Sequence, residues 1–141
     1  MWNFETTVRW AGKETGVAEC AGKPAVKVTP PPEFGGEPGQ WTPEDLLVSA
    51  IETCLMMTAL SVLKRQKITL AGYASKATGK MEKTPEGLRF TGLEVAVEVL
   101  VSGADDVEKA VKAVALAEKY CPISNAVKFP VQVTASARVQ G

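Results

Sequence analysis

The 141-residue chain contains no histidine. Histidine is the usual general base near neutral pH, the usual partner of a serine or cysteine nucleophile, and the commonest metal ligand in proteins. Its absence excludes Ser-His and Cys-His catalysis and any His-ligated metal. The three cysteines, Cys20, Cys54 and Cys121, form no Cys-x-x-Cys pair. The sequence therefore predicts no zinc site, and it contains no glycine-rich loop typical of nucleotide binding.

The chain also lacks an excess of charge of either sign, because 16 basic residues balance 16 acidic ones. Without a basic run there is no field to attract nucleic acid or an anionic membrane, so we expect neither partner. The first residues lack the basic and apolar regions of a signal peptide, and we expect the protein in the cytoplasm. Since that compartment keeps thiols reduced, cysteines that oxidise there are more often catalytic or redox-sensing than structural.

The composition is that of one ordinary globular domain. Hydrophobic residues make up 45% of the chain and charged residues 23%, which is enough apolar material to fill a core. A length of 141 residues is close to the commonest domain size. We therefore predict a single domain over residues 1–141.

The clearest structural signal is a long apolar helix. Thr42 fits the N-cap and Pro43 the first helical position, and the acidic Glu44 complements the helix dipole. From Leu46 to Leu63 the only charged residue is Glu52, which indicates a buried central helix rather than a membrane span, because several polar residues interrupt it. A helix that is apolar on nearly every side is difficult to bury in so short a chain, so we expect a homodimer.

The remaining elements alternate apolar and polar residues in the manner of strands and one amphipathic helix. We predict strands at residues 2–10, within 16–29, at 69–83, at 88–101 and near 131–139, and a second helix over 104–120. The run Thr84–Gly87 (Thr-Pro-Glu-Gly) predicts a hairpin turn between the third and fourth of these strands. The inward stripe of that helix is predicted to comprise Val107, Ala110, Val111, Val114 and Ala115, with Cys121 on the same stripe. The order of elements predicts an α+β fold in which antiparallel sheets pack around the long buried helix.

Cys54 and Cys121 are the residues most suited to chemistry. Each lies on a predicted helix, Cys54 in the buried one and Cys121 where proline breaks the other. A single cysteine on an apolar helix face is usually a small buried hydrophobe, but two on core helices suggest a thiol redox pair whose sulfurs meet. Cys20 is interpreted as structural. We further expect a nearby lysine or arginine to lower the pKa of Cys54.

Two separated motifs resemble those of the OsmC/Ohr family. The run Thr42–Leu47, followed after six residues by Cys54, is similar to one motif, and the run Cys121–Ala126 (Cys-Pro-Ile-Ser-Asn-Ala) is similar to the other. The stretch Pro32–Gly36 (Pro-Glu-Phe-Gly-Gly) is also similar to the family's loop. The resemblance covers nearly the whole chain.

This resemblance implies an OsmC-like fold, an intertwined homodimer and reduction of organic hydroperoxides. By the family pattern, Cys54 matches the peroxidatic cysteine, Cys121 the resolving cysteine and Glu44 a glutamate of the site. The cycle would pass through a sulfenic acid and a disulfide, and an external dithiol such as a lipoyl group would restore the thiols. No cofactor is implied. Glu44 and Cys54 lie about 15 Å apart along one helix, so another segment or subunit would have to bring them together.

The chain departs from the family pattern in its arginines. Family members use an arginine from the N-terminal strands or loop, but this chain has arginine only at positions 9, 65, 89 and 138. Lys13, Lys23 or Lys27 could supply a positive charge, although lysine cannot reproduce a bidentate guanidinium. Glu44 has an alternative role as a helix-dipole charge, and Glu52 is a weaker candidate for the site. The functional alternatives are a redox-sensing thiol protein and a noncatalytic small-ligand binder.

Overall fold

The computed structural model describes all residues from Met1 to Gly141. The chain divides into two compact units, Met1–Leu47 and Val48–Gly141, which are described in turn. The prediction of a single domain stays a prediction. The element order, strands then helix, hairpin, helix and strand, confirms the α+β class.

The first unit contains a small antiparallel sheet of three strands. Its strands are β1 (Thr7–Trp10), β2 (Gly16–Glu19) and β3 (Val26–Val28), with β2 in the centre. The strand predicted at residues 2–10 begins only at Thr7, and all four residues of β1 are exposed. The expected half-buried alternation is therefore wrong for the single chain, because residues on both faces of the strand are exposed. Trp2 and Phe4 precede β1 and are also exposed.

The Pro-Glu-Phe-Gly-Gly loop contains a short 3-10 turn, Pro32–Phe34. Gly35 follows it with φ 94°, a left-handed angle that favours glycine. At Gly36 a Cβ would lie 1.6 Å from the carbonyl oxygen of Pro30. Only glycine fits there, so the chain can fold back on Pro30 before the long helix begins.

Helix α1 (Pro43–Arg65) begins at the predicted cap. The Asp45 N–H donates to Thr42 Oγ1, and the Thr42 N–H donates to Asp45 Oδ2, both at 3.0 Å. This reciprocal pair satisfies donors that a helix start leaves open. By length and composition α1 could cross a membrane, a test that core helices of soluble proteins also pass.

Only one stripe of α1 is buried. The buried residues, spaced by about one turn, are Ile51, Leu55, Ala59, Val62 and Leu63. Other apolar residues of the helix remain accessible, such as Met57, which is 57% exposed. One chain therefore buries only part of this apolar helix, as expected for a helix that so short a chain cannot cover.

The second unit contains a three-stranded mixed sheet. The hairpin of β4 (Leu70–Thr84) and β5 (Gly87–Val101) is antiparallel, as predicted from the Thr-Pro-Glu-Gly turn. Strand β6 (Val131–Val139) pairs parallel to β5, so the predicted antiparallel pairing does not extend to β6. The reason is the helical connection between β5 and β6, because such a crossover returns the chain in the same direction.

That connection is helix α2 (Val107–Tyr120), which follows a 3-10 turn at Ala104–Asp106. Its buried residues are Ala110, Ala113, Val114 and Ala117. Ala115 is exposed, so its place on the predicted inward stripe is wrong. The buried stripe passes instead through Ala113 and Ala117, which the repeat of 3.6 residues per turn places on one face. Cys121 falls on the buried face as predicted, fully buried with Val95 and Val99 of β5 in the core.

Candidate active site

The second unit brings Cys54 and Cys121 together. Cys54 lies in α1 and is partly exposed, whereas Cys121 is the C-cap of α2 and is fully buried. Both are free thiols, and they lie close enough together for each to affect the pKa of the other. The sequence-based hypothesis that these two sulfurs meet agrees with this placement.

A tight turn after α2 fixes the position of Cys121. Pro122 cannot continue the helix, and the carbonyl oxygen of Cys121 accepts two bonds instead, from the Asn125 N–H at 3.1 Å and from Ser124 Oγ at 3.2 Å. The Asn125 side-chain amide donates to the Lys119 carbonyl at 3.1 Å. These bonds satisfy the last carbonyls of α2, and they turn the N–H groups of Ile123 and Ser124 toward the sulfurs.

The surroundings of the two sulfurs shift their pKa values in opposite directions. Burial raises the pKa of Cys54, and the adjacent Cys121 sulfur adds to this effect, whereas the Ile123 N–H and the Thr58 hydroxyl oppose it. Burial also disfavours a Cys121 thiolate, but the neighbouring N–H and hydroxyl of Ser124, the Cys54 thiol and the Ile123 N–H lower its pKa overall. A single negative charge on the pair is thus favoured over two.

No basic side chain contributes to these shifts. Within the second unit, the expectation that a lysine or arginine lowers the pKa of Cys54 is therefore wrong. Two basic residues of the first unit are already paired: Arg9 with Glu19 at 3.0 Å and Lys27 with Glu37 at 3.0 Å. Cys20 lies in the first unit, after β2.

Glu44 lies in the first unit, in the first turn of α1. Its Oε2 atom is buried without a hydrogen-bond partner. It lines a cavity of about 410 Å³ whose other walls are mainly apolar, among them Val8, Ala18, Val28 and Leu46. The chain by itself therefore leaves this carboxylate without a hydrogen-bond partner.

Glu52 belongs to a different polar cluster, between α1 and β4. Its Oε1 accepts a 2.6 Å hydrogen bond from Ser75 Oγ. Burial and the Glu52 charge raise the pKa of Tyr73 to about 12, and the Tyr73 hydroxyl is buried without a partner. Glu52 is thus directed toward the sheet rather than toward Cys54, as its lower rank in the sequence interpretation implied.

Sequence reasoning missed Thr58 and the turn groups at Ile123 and Ser124. Thr58 lies four residues after Cys54, a spacing that places both on one helix face, so this contact had a detectable signal. The N–H groups of Ile123 and Ser124 gave no signal in the sequence, because every non-proline residue carries an N–H and only the fold decides where it points.

A model of the OsmC-like protein family matches residues 35–136, a span that includes α1 with Cys54 and the turn after Cys121. The chain belongs to the OsmC-like protein family. No curated protein matches it. The resemblance drawn from the two cysteine motifs is thereby confirmed.

Solved structures of this family share the fold. An OsmC-like protein of unknown function from Vibrio cholerae is 22% identical, with a TM-score of 0.88 over 96% of this chain and 99% of that one. An organic hydroperoxide resistance protein from Elizabethkingia anophelis is 18% identical, with a TM-score of 0.76 over 99% and 98% of the two chains. At these identities the likeness establishes the OsmC-like fold alone.

A third structure is more similar in sequence. It is that of an organic hydroperoxide resistance protein OsmC from Legionella pneumophila, whose name also reads "predicted redox protein, regulator of sulfide bond formation". It is 29% identical, with a TM-score of 0.72, and the match covers 99% of this chain and 100% of that one. Together with the family match, it supports a redox role related to hydroperoxide resistance.

Proposed function

We propose that this protein is a thiol-dependent peroxidase that reduces organic hydroperoxides through Cys54 and Cys121. The observation that carries the proposal is the proximity of the two reduced thiols in the second unit, where each affects the pKa of the other. The Legionella relative, named for organic hydroperoxide resistance, supports the substrate class. Partly exposed Cys54 meets the peroxide, and buried Cys121 resolves the product.

The chemistry follows from the two positions. The Cys54 thiolate attacks one peroxide oxygen, the O–O bond breaks, and Cys54 becomes a sulfenic acid while an alcohol leaves. Cys121 then attacks the Cys54 sulfur, and a disulfide and water are formed. An external dithiol, for which a lipoyl group is our candidate, reduces the disulfide by exchange. A reducing cytoplasm suits this cycle, because it keeps the resting thiols available.

We propose a homodimer as the active form. Large apolar side chains lie on the surface of the single chain, including Trp2, Phe4, Trp10 and Trp41 in the first unit and Met57 in the second. So many exposed large apolar residues are typical of a protein–protein interface. A partner subunit would also place groups next to the buried Glu44 carboxylate. It would contribute the positive charge beside Cys54 that the second unit does not supply.

One observation favours a second candidate, a redox-sensing thiol protein. The groups that hydrogen-bond to Cys54 are all uncharged, and a thiol without a cationic neighbour reacts more slowly with peroxides. A sensor requires only that the pair oxidise, whereas a peroxidase must turn over many times.

A peroxide-consumption assay tests the proposal and separates the two candidates. Purified protein receives an alkyl hydroperoxide and a dithiol such as dihydrolipoamide, and the remaining peroxide is measured with time. We expect multiple turnovers in the wild type and in Cys20→Ser, which is the matched control, and loss of turnover in Cys54→Ser. A wild-type protein that consumes no more than one peroxide per chain would contradict the peroxidase and favour the sensor.

A further inference from the structure

A groove of about 350 Å³ lies between the C-terminal ends of α1 and α2, within the second unit. Its walls are formed by Val62, Arg65, Gln66, Leu116 and Tyr120. Leu116 and Tyr120 are large apolar residues on the surface, and Tyr120 is 60% exposed. The groove therefore presents an apolar surface to water that the steps of peroxide reduction do not require.

The groove adjoins the thiol pair. Tyr120 is the last residue of α2 and directly precedes Cys121. On α1, Arg65 lies about three turns after Cys54 on the same helix face, which corresponds to roughly 16 Å of rise. A molecule that binds in the groove needs an arm of about this length to reach the sulfur of Cys54.

Positive charge is present at the groove although the chain as a whole is neutral. Arg65 lies in the wall, and the Nζ atom of Lys119 lies 5.7 Å from the centre of the Tyr120 ring. Neither cation belongs to an ion pair, whereas Lys112 of the same helix is paired with Glu108 at 3.3 Å. No carboxylate lines the groove. It is therefore complementary to a negatively charged surface that carries an apolar projection.

We propose that this groove docks an acidic protein that carries the reducing dithiol. The inference rests on the proposed function and adds the partner of its last step. Carboxylates of the partner face Arg65 and Lys119, and its dithiol extends along α1 to Cys54. A second copy of the chain fits less well, because a two-fold interface at this groove would bring the same cations of both subunits together.

The exchange balances in atoms and electrons. One thiolate of the partner attacks the sulfur of Cys54, which is partly exposed, rather than that of the fully buried Cys121. A mixed disulfide forms at Cys54, the Cys54–Cys121 bond breaks, and Cys121 leaves as a thiolate that takes up a proton. The second thiol of the partner then attacks the mixed disulfide and releases Cys54. Two electrons and two protons pass to the cysteine pair, and the partner is left as a disulfide.

The test compares two synthetic peptides of equal length that each carry one dihydrolipoyl-lysine. Glutamates flank this residue in one peptide and lysines flank it in the other. Protein oxidised to the Cys54–Cys121 disulfide is mixed with each peptide, and reduction is timed by alkylation and mass spectrometry of Cys54. We expect the acidic peptide to react about tenfold faster at low salt, and this advantage to disappear at high salt, because the attraction is electrostatic.

Two charge reversals locate the effect. Arg65→Glu should lower the ratio of the acidic-peptide rate to the basic-peptide rate about tenfold. Lys83→Glu, an equal change of charge at an exposed position of β4, is the matched control and should leave the ratio near the wild-type value. Equal rates for the two wild-type reactions, or the same loss in both variants, would overturn the docking site. Dissociation of the dimer by Arg65→Glu would also overturn it, by assigning the groove to a second copy.

The disulfide for this experiment is prepared with diamide, so that the result does not depend on peroxide. If an alkyl hydroperoxide fails to oxidise the pair while the diamide-oxidised protein still prefers the acidic peptide, the peroxidase is overturned and the docking site is supported. If neither oxidant produces a disulfide between Cys54 and Cys121, both proposals are overturned.

Discussion

The hydroxyl of Ser75 donates a 2.6 Å hydrogen bond to the carboxylate of Glu52 and so joins β4 to α1. Glu52 is the only charged residue between Leu46 and Leu63, and the bond is part-buried. A carboxylate in such a place needs a donor, because losing its hydration without replacement is costly. The bond therefore fixes the helix that carries Cys54 against the sheet.

We predict that Ser75→Ala destabilises the protein. A hydrogen bond to a charged group contributes about 1.5–3 kcal/mol, so the urea midpoint should fall by a corresponding amount. Ser102→Ala, at an exposed position, is the matched control and should change stability little. Adding Glu52→Gln to Ser75→Ala should cost less than the sum of the two single changes, since both remove the same bond. Strict additivity would show that the two side chains do not interact.

The raised pKa of Tyr73 predicts that the stability of the protein depends on pH in the alkaline range. Burial and the Glu52 charge raise its pKa from 10.0 to about 12. The folded protein therefore retains a proton that the unfolded chain loses, and stability falls as pH rises between those values. Tyr73→Phe should remove this part of the decline, and near neutral pH it should be neutral or stabilising, because the hydroxyl has no partner. Identical alkaline profiles for the two proteins would exclude this effect.

Much of the fold could be predicted because local chemistry determines it. The cap at Thr42, the turn at Pro85 and the alternation of Val131–Val139 each act within a few residues, and the observed boundaries lie close to the predicted ones. The parallel pairing of β5 and β6 could not be deduced from alternation, which is the same for either direction. The exposure of β1 could not be predicted, because periodicity shows which face is apolar but not what covers it.

The candidate site, like the fold, could be predicted only in part. Cys54 and Cys121 could be paired from helical phase and from the family motifs, whereas the groups that set their pKa values are mainly N–H donors from a turn. The sequence suggested a cation instead. The structure gives Cys121, rather than Cys54, the lowered pKa.

We predict that removing the N-cap of α1 lowers the stability of the protein. Thr42→Ala eliminates the acceptor for the Asp45 N–H, and losses of this kind cost about 1 kcal/mol. Thr53→Ala is a control within the same helix, because the Thr53 hydroxyl bonds only to helix carbonyls such as that of Ser49 at 2.7 Å, which adds little stability. Chemical denaturation should rank Thr42→Ala well below Thr53→Ala. Equal stabilities would mean that the cap is not used in solution.

Sedimentation tests the proposed homodimer. We expect a dimer at micromolar concentration, and Met57→Glu should weaken it because a buried, unpaired carboxylate is costly. Lys112→Glu, on the exposed side of α2, should leave the dimer intact. A wild-type monomer at that concentration would contradict the proposal, and a dimer unaffected by Met57→Glu would place the interface elsewhere.

The most direct test of the central claim is a peptide map after oxidation by an alkyl hydroperoxide. We predict that two thiols per chain disappear, that mass spectrometry finds a Cys54–Cys121 crosslink, and that Cys20 stays reduced. The crosslink should also raise thermal stability, because closing this loop restricts the unfolded chain by about 4 kcal/mol, less any strain in the folded state. Oxidation of Cys20 with Cys54 and Cys121 intact would contradict the two-cysteine account.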